Sequence, residues 1–265
     1  WKLFKINKLI KAKKKQLALL GEQKQAIINK VVTKGLDDTV PMKDSGVEWI
    51  GEIPQDWRIQ KLGCFSTAQN GISESGEFFT KGTPFVSYGD VYNNYELPKS
   101  VNGVANSNSQ QKEVYSVKVG DIFFTRTSET IEEIAFSSVC TKTIEDAVFS
   151  GFLIRVRPQQ NFIYPKYSKY YFRNKTLRNY FVKEMNLVTR ASLSQSLLKN
   201  LPVVLPPLSQ QIIIAEEIEE KVKKIDNVIN SIDREINLIT EYKTSLISAV
   251  VTGKVDVRDI VIPDF

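Results

Sequence analysis

Two segments at opposite ends of the chain carry the same helical pattern, and this repetition restricts the fold more than any other feature. Between residues 22 and 37, a shift of 219 positions brings seven identities together. The matched pairs are Glu22 with Glu241, Lys24 with Lys243, Ile28 with Ile247, Val31 with Val250, Val32 with Val251, Thr33 with Thr252 and Asp37 with Asp256. Unrelated amphipathic helices share a hydrophobic phase but not these polar identities as well. We therefore infer a duplicated helical element with a globular insert between its copies.

In both copies, apolar residues recur at alternating steps of three and four, which is the heptad spacing of a coiled-coil seam. The residues predicted to form the seam are Leu17, Leu20, Ile27, Val31, Ile229, Ile232, Ile236, Ile239, Leu246 and Val250. Ser209 suits the N-cap of the second helix, and glycines at 35 and 253 suit the helix ends. Two long helices that flank one insert lie most simply side by side, so the sequence predicts an antiparallel coiled coil.

The insert, residues 41–206, consists of short apolar runs. Strands are predicted within residues 83–92, 119–126 and 147–157, with a turn after the first run and before the second. Within the third run, Phe152, Ile154 and Val156 alternate with Leu153, Arg155 and Arg157. Residues 165–184 predict one helix with an aromatic side. The predicted fold class is α+β: one mixed α/β domain flanked by two long helices.

Positive charge is concentrated in two stretches of a chain whose net charge is +6. Residues 1–34 contain ten lysines and one acid, and residues 155–199 contain ten basic residues and one acid, so each stretch is +9. The second stretch also contains interleaved Tyr and Phe, which is typical of surfaces that bind nucleic-acid backbones. A solvated helix face over an aromatic core would have the same composition, and both interpretations remain open.

Two short segments each place one arginine among small hydroxyl side chains: residues 125–128, TRTS, and residues 189–192, TRAS. Arginine can donate two hydrogen bonds to guanine, while Ser and Thr can donate or accept. Ordinary surface turns have the same composition, so this alternative also remains open. The residues predicted to bind DNA are Arg126, Thr127, Ser128, Arg155, Arg157, Lys166, Lys169, Arg173, Lys175, Arg190 and Ser192.

The chain has no histidine, which excludes Ser-His-Asp and Cys-His mechanisms and removes the commonest zinc ligand. Its two cysteines, Cys64 and Cys140, are isolated, which fits a reducing cytoplasm. The acidic pairs 132–133 and 145–146 have no recognisable metal-site partners and are interpreted as loop acids. No catalytic residue and no metal ligand is predicted. No apolar run approaches 18 residues, so no membrane span is predicted either.

Several motifs resemble one known family. LPPLSQQ at 205–211 opens the second helix, and VVTGKVDVR at 250–258 follows its last turns. Residues 42–57, MKDSGVEWIGEIPQDW, resemble the start of a target recognition domain, and KLG at 61–63, VGDI at 119–122 and KNLP at 199–202 are similar to its internal landmarks. Together they resemble the specificity subunit of a type I restriction-modification enzyme, over nearly the whole chain.

The resemblance implies four regions: a spacer helix at 1–40, a target recognition domain at 41–206, a second spacer helix at 207–256 and a tail at 257–265. Family members usually carry two recognition domains, so the chain resembles a piece of a longer subunit. Whether two copies associate is left open.

The resemblance also implies a role without chemistry. Such a subunit binds double-stranded DNA and docks methyltransferase subunits on its helices, and a separate restriction and translocase subunit cuts DNA. S-adenosylmethionine is expected in the methyltransferase subunits and no cofactor in this chain. Two other classes are weighed against this one: a nuclease or DNA methyltransferase domain held on a coiled coil, and a coiled-coil scaffold that binds no nucleic acid.

Overall fold

The computed structural model describes residues 2–127, 134–185 and 192–256, and a long helix lies at each end. Helix α1 spans Lys2–Lys34, and a second helix, the last of the chain, spans Leu208–Val251. Both long helices predicted from the heptads are confirmed. Gly35 and Gly253 follow them with φ angles of +82° and +73°. These angles lie in the left-handed region, which glycine adopts without steric cost, so each helix ends where the sequence predicts.

The chain divides into two compact units, one of which contains residues 2–27 and 218–256. In this helical unit, the predicted seam residues are partly or fully buried, with Ile232 only 5% exposed, whereas Leu19 and Leu238 beside the seam are 53% and 64% exposed. Two lysines on the seam of α1 form ion pairs with the last helix. Lys13 pairs with Glu235, and Lys24 donates to both carboxylate oxygens of Asp226 at 2.6 and 2.9 Å.

The second unit, residues 28–217, contains the strands and the short helices. The strands are β1 Met42–Asp44, β2 Glu52–Pro54, β3 Arg58–Lys61, β4 Ser66–Asn70, β5 Thr83–Val86, β6 Gly103–Ala105, β7 Ile122–Thr125, β8 Ser137–Val139, β9 Val148–Phe149, β10 Leu153–Pro158 and β11 Pro202–Leu205. The helices are α2 Tyr88–Tyr92, α3 Ser109–Val114, α4 Pro165–Tyr171, α5 Lys175–Met185 and α6 Gln195–Asn200, and α7 is the long helix Leu208–Val251.

The largest sheet has the order β4-β10-β7-β8 with every pair antiparallel. Three smaller sheets have the orders β1-β2, β11-β3 and β6-β5-β9, and β5 pairs with β9 in parallel. Strand β10 is central, with Leu153 opposite Thr125 of β7 and Ile154 opposite Asn70 of β4. The single strand predicted at 147–157 is therefore two strands separated by a turn at 150–152. The predicted alternation is wrong, because residues 153–156 are all buried and Phe152 is exposed.

Two other local predictions differ from the structure. The helix predicted at 165–184 is two helices, α4 and α5, with a break at 172–174. The break has a capping reason, because the Asn174 side chain accepts a hydrogen bond of 2.8 Å from the backbone N–H of Leu177. The turn predicted after β5 is the short helix α2. A reciprocal capping box between Ser87 and Asp90 starts that helix.

The aromatic core also holds the last turns of α1. Phe124 packs edge to face on Phe172 at 5.6 Å between ring centroids. Tyr167 of α4, fully buried, donates a hydrogen bond of 3.1 Å to the backbone carbonyl of Val32. Burial raises the pKa of the Tyr167 hydroxyl well above its usual value, so this donor keeps its proton. The end of α1 is thus fixed to the domain by both packing and a buried hydrogen bond.

The two copies of the repeated segment have different surroundings. In the first copy, Ile28 and Val32 are 0% exposed. Their equivalents in the second copy, Ile247 and Val251, are 40% and 79% exposed. The same apolar residues that pack on a domain at the end of α1 are open to solvent at the end of α7.

We predict that Gly71, directly after β4, tolerates no side chain. A Cβ at this position would lie 2.3 Å from the carbonyl oxygens of both Phe149 and Ser150. Gly71→Ala should therefore lower the free energy of unfolding by about 1–3 kcal/mol, since overpacking forces the backbone to move. Gly76→Ala is the matched control, because nothing lies within 4 Å of a Cβ there. Urea unfolding measures both, and equal midpoints for the two variants would contradict the packing described here.

Candidate nucleic-acid interface

Two arginines of β10 that were predicted to bind DNA are engaged inside the domain. Arg157 Nε and Nη2 donate to the two carboxylate oxygens of Asp121, each at 2.6 Å, and Asp121 is 0% exposed. Arg155 is 5% exposed and donates to the Ser116 carbonyl at 2.6 Å and to the Gln69 side chain. Burial lowers the pKa of Arg155 to about 10, so the group stays charged at neutral pH.

Arg173, also in the predicted set, has an entirely internal environment. Its guanidinium group lies 4.7 Å from the ring centroids of both Tyr95 and Phe136. Four backbone carbonyls accept its hydrogen bonds, those of Val91, Tyr92, Asn94 and Ser137. Because a buried cation without partners would be costly, these carbonyls make Arg173 a clamp between the end of α2 and strand β8.

The three predicted lysines differ in exposure. Lys169 is 7% exposed and lies 3.4 Å from the Glu96 carboxylate. Lys166 is partly exposed near the start of α4, and Lys175 is exposed at the start of α5. The +9 stretch therefore divides into inward-facing cations that hold the fold and outward-facing cations that are accessible to a polyanion.

The structure brings the two hydroxyl-rich segments together, although they are more than sixty residues apart. Thr127 and Ser192 form an antiparallel bridge, and the backbone N–H of Leu193 donates to the carbonyl of Arg126 at 2.8 Å. Arg126 and Thr127 are partly exposed, and Ser192 is exposed. Ser128 and Arg190, also predicted to bind DNA, lie outside the described residues. We call the surface formed by residues 126–127, 152 and 192 the paired-loop surface.

Arg126 is the cation of the paired-loop surface. Among the described residues, none accepts a hydrogen bond from its guanidinium group, in contrast to Arg155, Arg157 and Arg173. Its backbone is fixed, because the Arg126 N–H donates to the Phe152 carbonyl at 2.8 Å. A guanidinium on a fixed backbone, with donors that no described residue engages, suits recognition of guanine or phosphate.

Two amides beside this surface were missed by the sequence interpretation. Gln195 Nε2, in the first turn of α6, donates to Asn70 Oδ1, at the end of β4, at 3.1 Å. Asn and Gln are the side chains that recognise adenine, and Gln195 lies three residues after Ser192 of the paired-loop surface. The sequence contains no signal for this contact, because it joins residues 125 positions apart.

The described residues provide no cluster of three metal-ligating side chains, and no helix among them is long and apolar enough to cross a membrane. Of the predicted loop acids, Glu145 and Asp146 are exposed, and the pair at 132–133 lies outside the described residues. Burial raises the pKa of the Cys140 thiol to about 12, so it remains protonated at neutral pH.

Comparison with known proteins supplies the identification. The family described as the type I restriction modification DNA specificity domain matches residues 54–240, well over half of the chain. The chain therefore belongs to this family. The resemblance found in the sequence is confirmed, and with it the assignment to the specificity component of such systems, which is not catalytic.

Two curated relatives come from Methanocaldococcus jannaschii. The specificity subunit of the type I restriction enzyme MjaVIII is 24% identical over 261 residues, which is 96% of this chain and 58% of the relative. The MjaX specificity subunit, whose assignment to a type I restriction enzyme is provisional, is 26% identical over 207 residues, which is 77% of this chain and 47% of the relative. The chain thus spans about half the length of the curated relatives it matches.

Two solved structures share the fold. One is a chain from a study of complex assembly and conformational transition in the type I R-M system, with a TM-score of 0.61 and 15% identity, covering 92% of this chain and 56% of that one. The other is the HsdS subunit from Thermoanaerobacter tengcongensis, with a TM-score of 0.57 and 13% identity, covering 93% and 54%. At these identities the likeness establishes the mixed α/β fold with its long helices.

We predict that the inward-facing arginines stabilise the domain and that Arg126 does not. Arg157→Ala leaves the buried Asp121 carboxylate without its ion-pair partner and should lower the free energy of unfolding by about 3 kcal/mol. Arg126→Ala should change it by less than about 0.5 kcal/mol, as expected of a surface position. Urea unfolding followed by tryptophan fluorescence measures both. Equal stability of the two variants would mean that Arg157 is not a structural cation.

Proposed function

We propose that this chain reads one half-site of a bipartite DNA target through residues 41–206 and assembles with methyltransferase subunits through its two long helices. The observation that carries the proposal is the paired-loop surface, in a chain that belongs to the DNA specificity family. Arg126, Thr127 and Ser192 offer side-chain donors and acceptors for which the described residues provide no partner. The outward-facing lysines 166 and 175 supply the sequence-independent attraction to phosphate.

Contacts within the helical unit support the proposed antiparallel coiled coil. Lys13 pairs with Glu235, and Lys24, further along α1, pairs with Asp226, which lies earlier on α7. As residue numbers rise along α1, the numbers of the ion-pair partners on α7 fall, as expected for antiparallel helices. The Lys13 pair also favours this alignment, because a shift of one heptad would place Lys13 opposite Val228 or Tyr242 instead of Glu235.

The unequal burial of the two repeat copies supports the half-site reading. The first copy packs on the recognition domain through Ile28 and Val32, and the second exposes Ile247 and Val251. We propose that a second recognition domain covers the end of α7 as the first covers the end of α1. The matches cover only 47% and 58% of the curated relatives, which leaves room in those proteins for a second domain.

The proposed partners follow from the same assignment. DNA is bound as a duplex, methyltransferase subunits dock on the coiled coil and carry S-adenosylmethionine, and the restriction subunit joins through the complex. The chain itself holds no cofactor in this proposal, and it acts in the cytoplasm, where the DNA is.

The test of DNA reading uses the full chain and duplexes selected from a randomised pool. Wild-type protein should enrich one short sequence, with affinity that falls steeply between about 50 and 200 mM salt. Arg126→Ala should lose about 1–3 kcal/mol of discrimination at one base position. Lys166→Ala and Lys175→Ala are the controls, and each should weaken binding to all duplexes alike and reduce the salt slope by about one. Uniform losses in all three variants would refute base reading by Arg126.

A second test addresses the helices. Ile236→Asp and Leu17→Asp each place a carboxylate in the apolar seam and should reduce both helicity and co-purification with the methyltransferase subunit. Leu238→Asp and Leu19→Asp are matched controls, because these leucines are exposed beside the seam. Circular dichroism and pull-down measure the two effects. If the seam variants behave like the controls, the two long helices do not form the surface on which the methyltransferase subunits dock.

A further inference from the structure

The most exposed large apolar side chain described in the α/β unit is Phe152, at 63%. A single exposed apolar residue indicates little by itself. Phe152, however, lies in the turn between β9 and β10, one residue before Leu153, which pairs with Thr125 of β7. It therefore lies opposite Arg126, and the Arg126 N–H donates to its carbonyl at 2.8 Å. Residues opposite each other in an antiparallel pair have Cβ atoms about 5 Å apart on one face.

The turn that presents Phe152 is held rigidly. The Gly151 N–H donates to the Ile72 carbonyl at 2.7 Å, and the Ser150 N–H donates to the Val86 carbonyl at 3.0 Å. The Ser150 side chain accepts from the Phe152 N–H at 3.2 Å. A Cβ at Gly151 would lie 2.9 Å from the Ile72 carbonyl oxygen, so the backbone here approaches residues 72–73 as closely as only glycine permits. An aromatic side chain on such a turn loses little conformational freedom when it binds a partner.

We propose that Phe152 is a specificity-determining residue that contacts the 5-methyl group of a thymine in the DNA major groove, next to the base pair that Arg126 reads. This inference rests on the proposed DNA-reading function. The major groove is where arginine reads guanine and where apolar side chains contact the thymine methyl. Side chains that start about 5 Å apart can reach two adjacent base pairs, which are stacked about 3.4 Å apart. Arg126 and Phe152 then read one dinucleotide step, with a guanine beside a thymine.

The experiment removes the methyl group without changing base pairing. Duplexes selected by the wild-type chain are resynthesised with deoxyuridine in place of each thymine in turn. Wild type should bind one of these duplexes about fourfold more weakly, which is the contribution of one buried methyl group. Phe152→Ala should bind the parent duplex about tenfold more weakly and respond no further to that deoxyuridine. Phe152→Leu, which keeps an apolar contact, should retain part of the methyl effect.

Val119→Ala is the matched control, because Val119 is 56% exposed before the opposite end of β7. It should bind all duplexes as wild type does. Circular dichroism and urea midpoints verify that the exposed substitutions leave the fold intact. A selected site without thymine beside guanine, or a wild-type chain indifferent to every deoxyuridine, overturns the inference. So does Phe152→Ala with unchanged selectivity, and in each of these cases the proposed function stands. A wild-type chain that enriches no sequence overturns the proposed function and this inference together.

Discussion

The ion pair between Arg157 and Asp121 is the interaction on which the rest of the α/β unit depends. It joins the two central strands, β7 and β10, with the carboxylate fully buried and the guanidinium bound to both of its oxygens. The same carboxylate accepts from the backbone N–H of Lys118 at 2.7 Å, which shapes the turn that leads into β7. Strand β7 continues into Arg126, and β10 starts directly after Phe152. The strand register that the ion pair maintains therefore also positions the paired-loop surface.

The positive charge of this domain performs two separate tasks. Arg155, Arg157 and Arg173 donate hydrogen bonds to protein acceptors within the domain, so their interactions with the fold are largely shielded from dissolved salt. Arg126, Lys166 and Lys175 are more accessible to solvent, where mobile ions compete for them. Ionic strength should therefore weaken DNA binding well before it weakens the fold, and the two effects can be separated in solution.

Much of the architecture was predictable because its causes are local. Heptad spacing and terminal glycines identify α1 and α7, and the apolar run before Arg126 identifies β7. The division of the cations was not predictable, because the acceptors of Arg157 and Arg173 lie 36 to 82 residues away in sequence. Long-range structure also explains why the exposure of Phe152 was not predicted. The alternating pattern assigned Phe152 to the same face as Ile154 and Val156. Residues 153–156 of β10 are all buried, however, and a strand buried on both faces shows no alternation of apolar and polar residues.

The duplicated helix has a consequence for the life of the protein in the cell. The end of α7 presents Ile247 and Val251 to solvent, whereas the equivalent end of α1 is packed on the α/β unit. Exposed apolar helix ends are sites where chaperones and proteases engage. Under the proposed assembly, unassembled chains should therefore be removed faster than assembled ones, which would match the amount of this chain to the amount of its proposed partners.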